Sequence, residues 1–238
     1  MIRFSEVSKV YNGRVPALSD VTVEIPDGDF IFLIGPSGAG KTTLLRLLIR
    51  DLIPNAGDIY IDDLHINRMP SSKIHMLRRS VGTVFQDVRL LLDRTVFENV
   101  ALALEVRGKK EHAIKRDVMS ILSLVGLVDK YNHFPAELSA GELQRTGIAR
   151  AVVAGPKILL ADEPTGNLDP ETSWDIIDIL SEVNKMGTTI IMATHNERIV
   201  NEKKKRTIAL SRGSIVSDEQ KGRYHTGLKA GHKKHESA

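Results

Sequence analysis

Two periods of hydrophobic recurrence run along this chain. Short β-branched, aliphatic and aromatic runs at 21–25, Phe30–Ile34, 81–85, Ile158–Asp162, Thr189–Ala193 and 207–210 read as strands. Phe30–Ile34, 158–161 and 190–192 are apolar at every position, the pattern of strands buried on both faces of a parallel sheet. Between them the period lengthens. Segment 42–50 carries Leu44, Leu45, Leu47 and Leu48, and segment 171–185 carries Trp174, Ile176, Ile177 and Leu180, as helices would. Strands alternating with helices predict an α/β domain. Segment 87–137 has little strand signal, and its Val118, Ile121, Leu122 and Val125 recur as one face of an amphipathic helix. The pattern predicts a helical subdomain over about 87–155, inserted into a sheet domain that spans 1–217.

The end of the chain changes character. Residues 218–238 mix Lys, His, Gly and Ser with almost no apolar residue, so a flexible polar tail is expected there. His225, His232 and His235 lie in it without an ordered scaffold that would make them metal ligands.

Composition narrows the function classes. The 238 residues fit one large domain or one with a modest insertion, and 42% hydrophobic content is enough for a core. With 33 Lys+Arg against 30 Asp+Glu, the net charge of +3 is too small for a general nucleic-acid binder. The absence of cysteine excludes a disulfide scaffold, a Cys-ligated metal and a thiol nucleophile. The longest wholly apolar runs, Phe30–Ile34 and 100–104, fall far short of the roughly 20 residues of a membrane span. The opening Met1-Ile2-Arg3-Phe4-Ser5-Glu6 turns polar at once, unlike a secretory signal. A soluble or peripheral protein, with no transmembrane segment of its own, is expected on the cytoplasmic side.

The chemistry begins at Gly35-Pro36-Ser37-Gly38-Ala39-Gly40-Lys41-Thr42, which matches G-x-x-x-x-G-K-[ST] at each fixed position. A buried-strand pattern runs into it and a Leu-rich helix pattern leaves it. Glycines let such a loop curl until backbone N–H groups converge on a phosphate without Cβ obstruction. The next helix then turns its positive end to the same anion. Lys41 is placed to pair with the β- and γ-phosphates, and Thr42 to offer its hydroxyl to Mg²⁺. A second constellation, Asp162-Glu163, ends an apolar strand, where open α/β sheets bind ligands. Asp162 is the expected Mg²⁺ carboxylate and Glu163 the expected base that polarises attacking water. Alone, such an acidic pair is as often the start of a loop; the phosphate loop gives it meaning.

Leu138-Ser139-Ala140-Gly141-Glu142, followed by Gln144-Arg145, resembles the signature of the ATP-binding cassette ATPases, and other motifs of that family follow in order over roughly residues 1–216. Tyr11 stands where the family stacks an aromatic on adenine, Gln86 where it has its glutamine loop, Gly166-Asn167-Leu168-Asp169 where it has its dimer-contact loop, and His195 where it has its switch histidine. Taken singly, Tyr11 could be a strand-end aromatic, and Gln86 and His195 satisfied polar residues. Ser139 with Glu142 three residues on also has capping-box spacing. The resemblance implies a P-loop NTPase core with an N-terminal antiparallel β region, ATP and Mg²⁺ as cofactors, and ATP hydrolysis as the activity. It implies catalytic roles for Glu163, His195 and Gln86, metal contacts from Thr42, Gln86 and Asp162, and nucleotide contacts from Tyr11, Gly35 to Thr43, Ser139, Gly141 and Asp169. It further implies a head-to-tail homodimer, in which Ser139 and Gly141 of one copy complete the ATP site of the other. Ala140 departs from the family's usual glycine and puts signature geometry in question.

Ala161-Asp162-Glu163-Pro164-Thr165-Gly166-Asn167-Leu168-Asp169 is similar to a subgroup that includes lipoprotein-releasing, macrolide-efflux and cell-division ATPases. The Arg89-Leu90-Leu91-Leu92-Asp93-Arg94-Thr95-Val96 stretch, with Glu98-Asn99-Val100-Ala101-Leu102 after it, is most similar to the cell-division branch. That branch implies an integral membrane partner of the FtsX type, control of peptidoglycan hydrolysis, and residence at the cytoplasmic face of the membrane. An ATP-gated scaffold with little turnover remains an alternative. Val88, Leu90, Leu91 and Leu92 are the expected docking surface, since consecutive leucines cannot all face one core from one helix or strand.

Overall fold

Side-chain alternation within each strand decides which core a residue joins. The computed structural model describes residues 1–11 and 15–224. Along the chain run β1 (Ile2–Val10), β2 (Pro16–Ile25), β3 (Phe30–Ile34), α1 (Lys41–Leu48), β4 (Ala56–Ile61), β5 (Leu64–His65), α2 (Ile74–Ser80), β6 (Val81–Val84), α3 (Val96–Glu105), α4 (Glu111–Leu124), α5 (Ala140–Val152), β7 (Ile158–Asp162), α6 (Pro170–Lys185), β8 (Thr189–Ala193), α7 (Glu197–Lys203), β9 (Arg206–Ser211) and β10 (Ser214–Glu219). The larger sheet has the order β10-β9-β3-β8-β7-β6, parallel from β9 to β6, with β10 antiparallel at one edge.

Ile31 and Leu33 of β3 face the smaller sheet, with Leu160 of β7 and Ile191 of β8. Phe30, Phe32 and Ile34 face α5, α6 and α7, with Leu159 and Ile190. Both faces of the parallel strands are therefore covered, which is why their sequence does not alternate. Each fully buried Leu or Ile in these layers contributes about 1.5–3 kcal/mol relative to exposure.

The N-terminal β region is a four-stranded antiparallel sheet of order β2-β1-β4-β5. Its buried face carries Ile2, Phe4, Leu18, Val21, Ile59 and Ile61, packed with α1. Strand β1 lies outside the segments whose period reads as strand, because its polar Arg3, Ser5 and Ser8 interrupt the apolar run. The third core belongs to α3, α4 and α5, around Val100, Leu104, Val118, Leu122 and Ala149. Among the described residues no strand lies between β6 and β7.

Two sequence expectations need correction. Strand β6 stops at Val84, and Phe85 leaves the sheet to lie under the Arg89 guanidinium, 4.5 Å from its ring centre. The polar tail does not begin at Asp218. Asp218 and Glu219 continue β10, and Asp218 takes both prongs of Arg206 at 2.9 and 2.8 Å. A cross-strand ion pair on an antiparallel ladder needs no apolar residue, so composition alone hid it. Tyr224 packs against the second core, and its backbone N–H donates to Asn201 Oδ1 at 2.8 Å. His225, His232 and His235 lie outside the described residues.

Candidate active site

The loops that follow β3, β6, β7 and β8 all leave the carboxyl ends of parallel strands, where the sheet opens. The loop after β3 is shaped by glycine. Gly35 (φ 146°) passes so close to β9 that a Cβ would stand 2.2 Å from the Leu210 carbonyl oxygen. Gly40 (φ 108°) caps α1 in a left-handed conformation, with Ala17 and Leu18 against its α-carbon. Lys41 opens the helix and is buried; its Nζ donates to the carbonyls of Gly35 at 2.7 Å and Pro36 at 3.3 Å. Among the described residues no carboxylate pairs with it. A buried ammonium held only by carbonyls leaves net positive potential at the helix N-terminus, an anion site by construction. Thr42 is exposed beside it, and Thr43 is buried, with its hydroxyl 3.2 Å from that of Tyr11.

Strand β7 delivers the acids. Asp162 ends the strand and Glu163 turns out of it at φ 50°, a left-handed conformation that costs a side-chain-bearing residue about 1 kcal/mol or more. The turn is held by the Glu163 N–H donating to Ala193 and the Gly166 N–H donating back to Glu163, at 2.9 and 3.0 Å. This aims the Glu163 carboxylate at the end of β8. There Oε2 accepts from the His195 backbone N–H at 3.2 Å and lies 2.9 Å from His195 Nδ1. A carboxylate can only accept, so the contact selects the tautomer with the proton on Nδ1 and leaves Nε2 for a ligand.

One cavity of about 760 Å³ gathers these groups: Tyr11, the loop from Ser37 to Thr43, Gln86, Asp162, Glu163 and His195 line it. Gly35 and Pro36 stand behind the lining and hold Lys41 from within. Ala17, which no sequence pattern singled out, closes one wall. The oxygens of Thr42, Gln86 and Asp162 suit a hard divalent cation, which takes oxygen ligands.

Ser139, Gly141 and Asp169 do not line this cavity. Ser139 caps α5 in a full capping box: Glu142 N–H donates to its Oγ at 3.3 Å, and its own N–H donates to the Glu142 carboxylate at 2.8 Å. That N–H holds the Glu142 carboxyl below the usual carboxylate range. Ser139 and Ala140 are both exposed, so the extra methyl of Ala140 meets no neighbour inside this chain that would forbid it. Gly141 is buried, and a Cβ there would stand 2.5 Å from Thr172 Cγ2, so packing between α5 and α6 alone accounts for this glycine. Thr172, absent from the sequence reading, also supplies the hydroxyl and N–H that pull the Asp169 carboxyl down, as Asp169 caps α6 at 2.9 Å.

Beyond Gln86 the side chains of Leu91 and Leu92 are 42% and 75% exposed, while Val88 and Leu90 are half-buried. The backbone of this segment is pinned by buried Asn99, which accepts from Leu91 N–H at 2.9 Å and donates to the Leu91, Arg94 and Thr95 carbonyls at 3.0 Å. No helix among the described residues is long and apolar enough to cross a membrane.

Comparison with known proteins agrees with this geometry. The family described as ABC transporter matches residues 18–166. The chain is 51% identical over 225 residues to the "Cell division ATP-binding protein FtsE" of Mycobacterium tuberculosis, covering 94% of this chain and 98% of that protein. It is 48% identical to the protein of the same name from Bacillus subtilis, covering 94% and 98%. Among solved structures it resembles the dimeric post-hydrolysis state of the ATP-binding cassette MJ0796 bound to ADP and Pi, at a TM-score of 0.84 and 31% identity, covering 94% of this chain and all of that one. With the phosphate loop, acidic strand end and histidine around one cavity, and a matching family over more than half its length, the chain belongs to the ABC transporter family as an ATP-hydrolysing cassette.

Proposed function

We propose that this chain is the ATPase subunit of a bacterial cell-division complex, working as a head-to-tail pair of copies beneath an integral membrane partner of the FtsX type. The observation that carries the paired reading is the division of the motifs. Lys41, Thr42, Gln86, Asp162, Glu163 and His195 line one cavity, whereas Ser139, Gly141 and Asp169 lie outside it. Exposed Ser139 sits at the N-terminus of α5, and a helix N-terminus is an anion site in search of its anion. A second copy in the opposite sense supplies that anion as the γ-phosphate of its own ATP.

Each copy then acts through its own residues. The loop from Gly35 to Thr43 and the Lys41 ammonium bind the phosphates, and Tyr11 sits beside Thr43 at the mouth of the cavity to receive the base. Thr42, Asp162 and Gln86 hold Mg²⁺, which neutralises phosphate charge when bound. Glu163 accepts the proton of the attacking water, and His195 fixes the orientation of its carboxylate. Loss of the γ-phosphate removes the link between copies, so binding and hydrolysis become closing and opening. The motion reaches the membrane partner through exposed Leu91 and Leu92, the latter lining a cavity of about 350 Å³ together with Gln86, Val88 and Leu90. Regulation of peptidoglycan hydrolysis outside the cell is the outcome proposed for that motion.

The test is purification from membranes with identification of the bound protein, for the parent chain and for Leu91→Asp and Leu92→Asp. Loss of an integral membrane partner at unchanged melting temperature and ATP affinity supports the reading. A fall in melting temperature instead makes these leucines core residues, and recovery of no membrane protein by the parent defeats the partner assignment.

A further inference from the structure

The segment that leaves Gln86 is fastened to a helix rather than to the sheet it came from. Arg150, on α5, donates from Nη1 to the Arg89 carbonyl and from Nη2 to the Val88 carbonyl, each at 2.9 Å. Its guanidinium is largely withdrawn from water, and burial pulls its pKa down. Among the described residues no carboxylate pairs with it. A desolvated cation is costly unless its donors are used, and here both Nη nitrogens donate to one short stretch of backbone. That stretch includes Arg89 at φ 48°, a conformation a side-chain-bearing residue keeps only when its surroundings impose it. One turn before Arg150, Gly147 leaves α5 bare, and Val88 fills the gap so closely that a Cβ on Gly147 would stand 2.4 Å from Val88 Cγ1. A further turn back, Gln144 is buried with its Nε2 lacking any partner, beside a cavity that it shares with Gln86, Glu163 and Gly166. The outer side of the segment is thus tied to α5, and the side next to Gln86 is not.

We infer that Arg150 is a positioning residue for ATP hydrolysis: with Val88 seated on Gly147, it holds the segment 88–92 and α5 together as one rigid body. Ser139 caps α5, so displacement at Leu91 and Leu92 arrives at Ser139, and through it at the ATP site of the facing copy. This inference rests on the paired reading proposed above.

The experiment uses the full chain and follows ATP turnover, melting temperature and amide hydrogen exchange at 88–92. Arg150→Met should speed exchange at 88–92 and lower kcat by about tenfold, with KM for ATP within about twofold of the parent, because ATP binding to one copy does not involve the strap. Gly147→Ala should lower kcat in the same way, and adding Val88→Ala should restore it, since the displaced methyl is then gone. Parent-level kcat in Arg150→Met overturns the inference. So does a Gly147→Ala defect that Val88→Ala fails to relieve, which would mark damage to the helix rather than to the seat. A parent whose turnover per chain is independent of protein concentration would strike at the paired reading; exchange at 88–92 in Arg150→Met, unchanged or accelerated, still decides the strap.

Discussion

The phosphate side and the signature side of this cassette use the same device, a helix N-terminus, in opposite ways. On the phosphate side α1 is buried, its first residue Lys41 is enclosed, and its cap Gly40 contributes no side chain to satisfy the first N–H groups. Those donors await an external anion. On the signature side α5 and α6 are capped by their own residues, Ser139 with Glu142 and Asp169 with Thr172, in exposed positions. Those helices are stable without a ligand and present it with only a partial site. Under the paired reading proposed above, the contrast explains how one copy would bind nucleotide and a second surface would complete the site: one half is built around a missing charge, the other around a self-capped helix.

Substitutions sharpen this contrast, the largest at the phosphate side. Glu163→Gln should keep ATP binding and lower kcat by about 10²–10⁴-fold, since it removes the proposed base and leaves the phosphate cradle intact. ATP-bound dimers should accumulate, as read by size-exclusion chromatography with ATP; turnover at the parent rate would misplace the base. Lys41→Ala should weaken nucleotide binding by about a hundredfold, because a buried phosphate loses a charge-assisted donor worth roughly 1.5–3 kcal/mol. Calorimetry at physiological salt measures it, and unchanged affinity would remove the anion site from this description.

On the signature side the expected effects are smaller and of another kind. Ser139→Ala should cost about 1 kcal/mol through the lost cap, a fall of roughly 2–4 °C in melting temperature. Nucleotide affinity of the single chain should stay the same while ATP-driven dimerisation falls; a drop in single-chain affinity would break the comparison. The smallest effect is with acid. The Glu142 and Asp169 carboxyls are held below their usual range by hydrogen bonds from Ser139 and Thr172, so their stabilisation is full above the ordinary carboxylate pKa and fades as pH falls through the lowered value. Amide exchange at Ser139 and Thr172, whose N–H groups donate to those two carboxylates, should therefore rise below about pH 4, ahead of exchange in the buried strands.

Much of this was written in the order of residues. The continuous apolar runs of Phe30–Ile34, 158–161 and 190–192 specify strands covered on both faces, because no half-exposed strand tolerates them. The spacing of Gly35, Gly40, Lys41 and Thr42 is that of a phosphate loop, whose positive φ at Gly35 and Gly40 favours glycine before any tertiary contact is counted. Other features were decided only in three dimensions. Gly141 and Gly147 look alike in sequence, yet one makes room for Thr172 of α6 and the other for Val88, contacts set by how helices pack. Asp218 passes for the start of a polar tail in sequence, yet on the ladder it faces Ile208 and pairs diagonally with Arg206, twelve residues away. Arg150 carries no motif, and its strap on 88–89 exists because α5 crosses that segment. The sequence by itself determined what depends on near neighbours and their period; tertiary structure decided what depends on which distant surfaces meet, because a contact's energy follows distance in space and not along the chain.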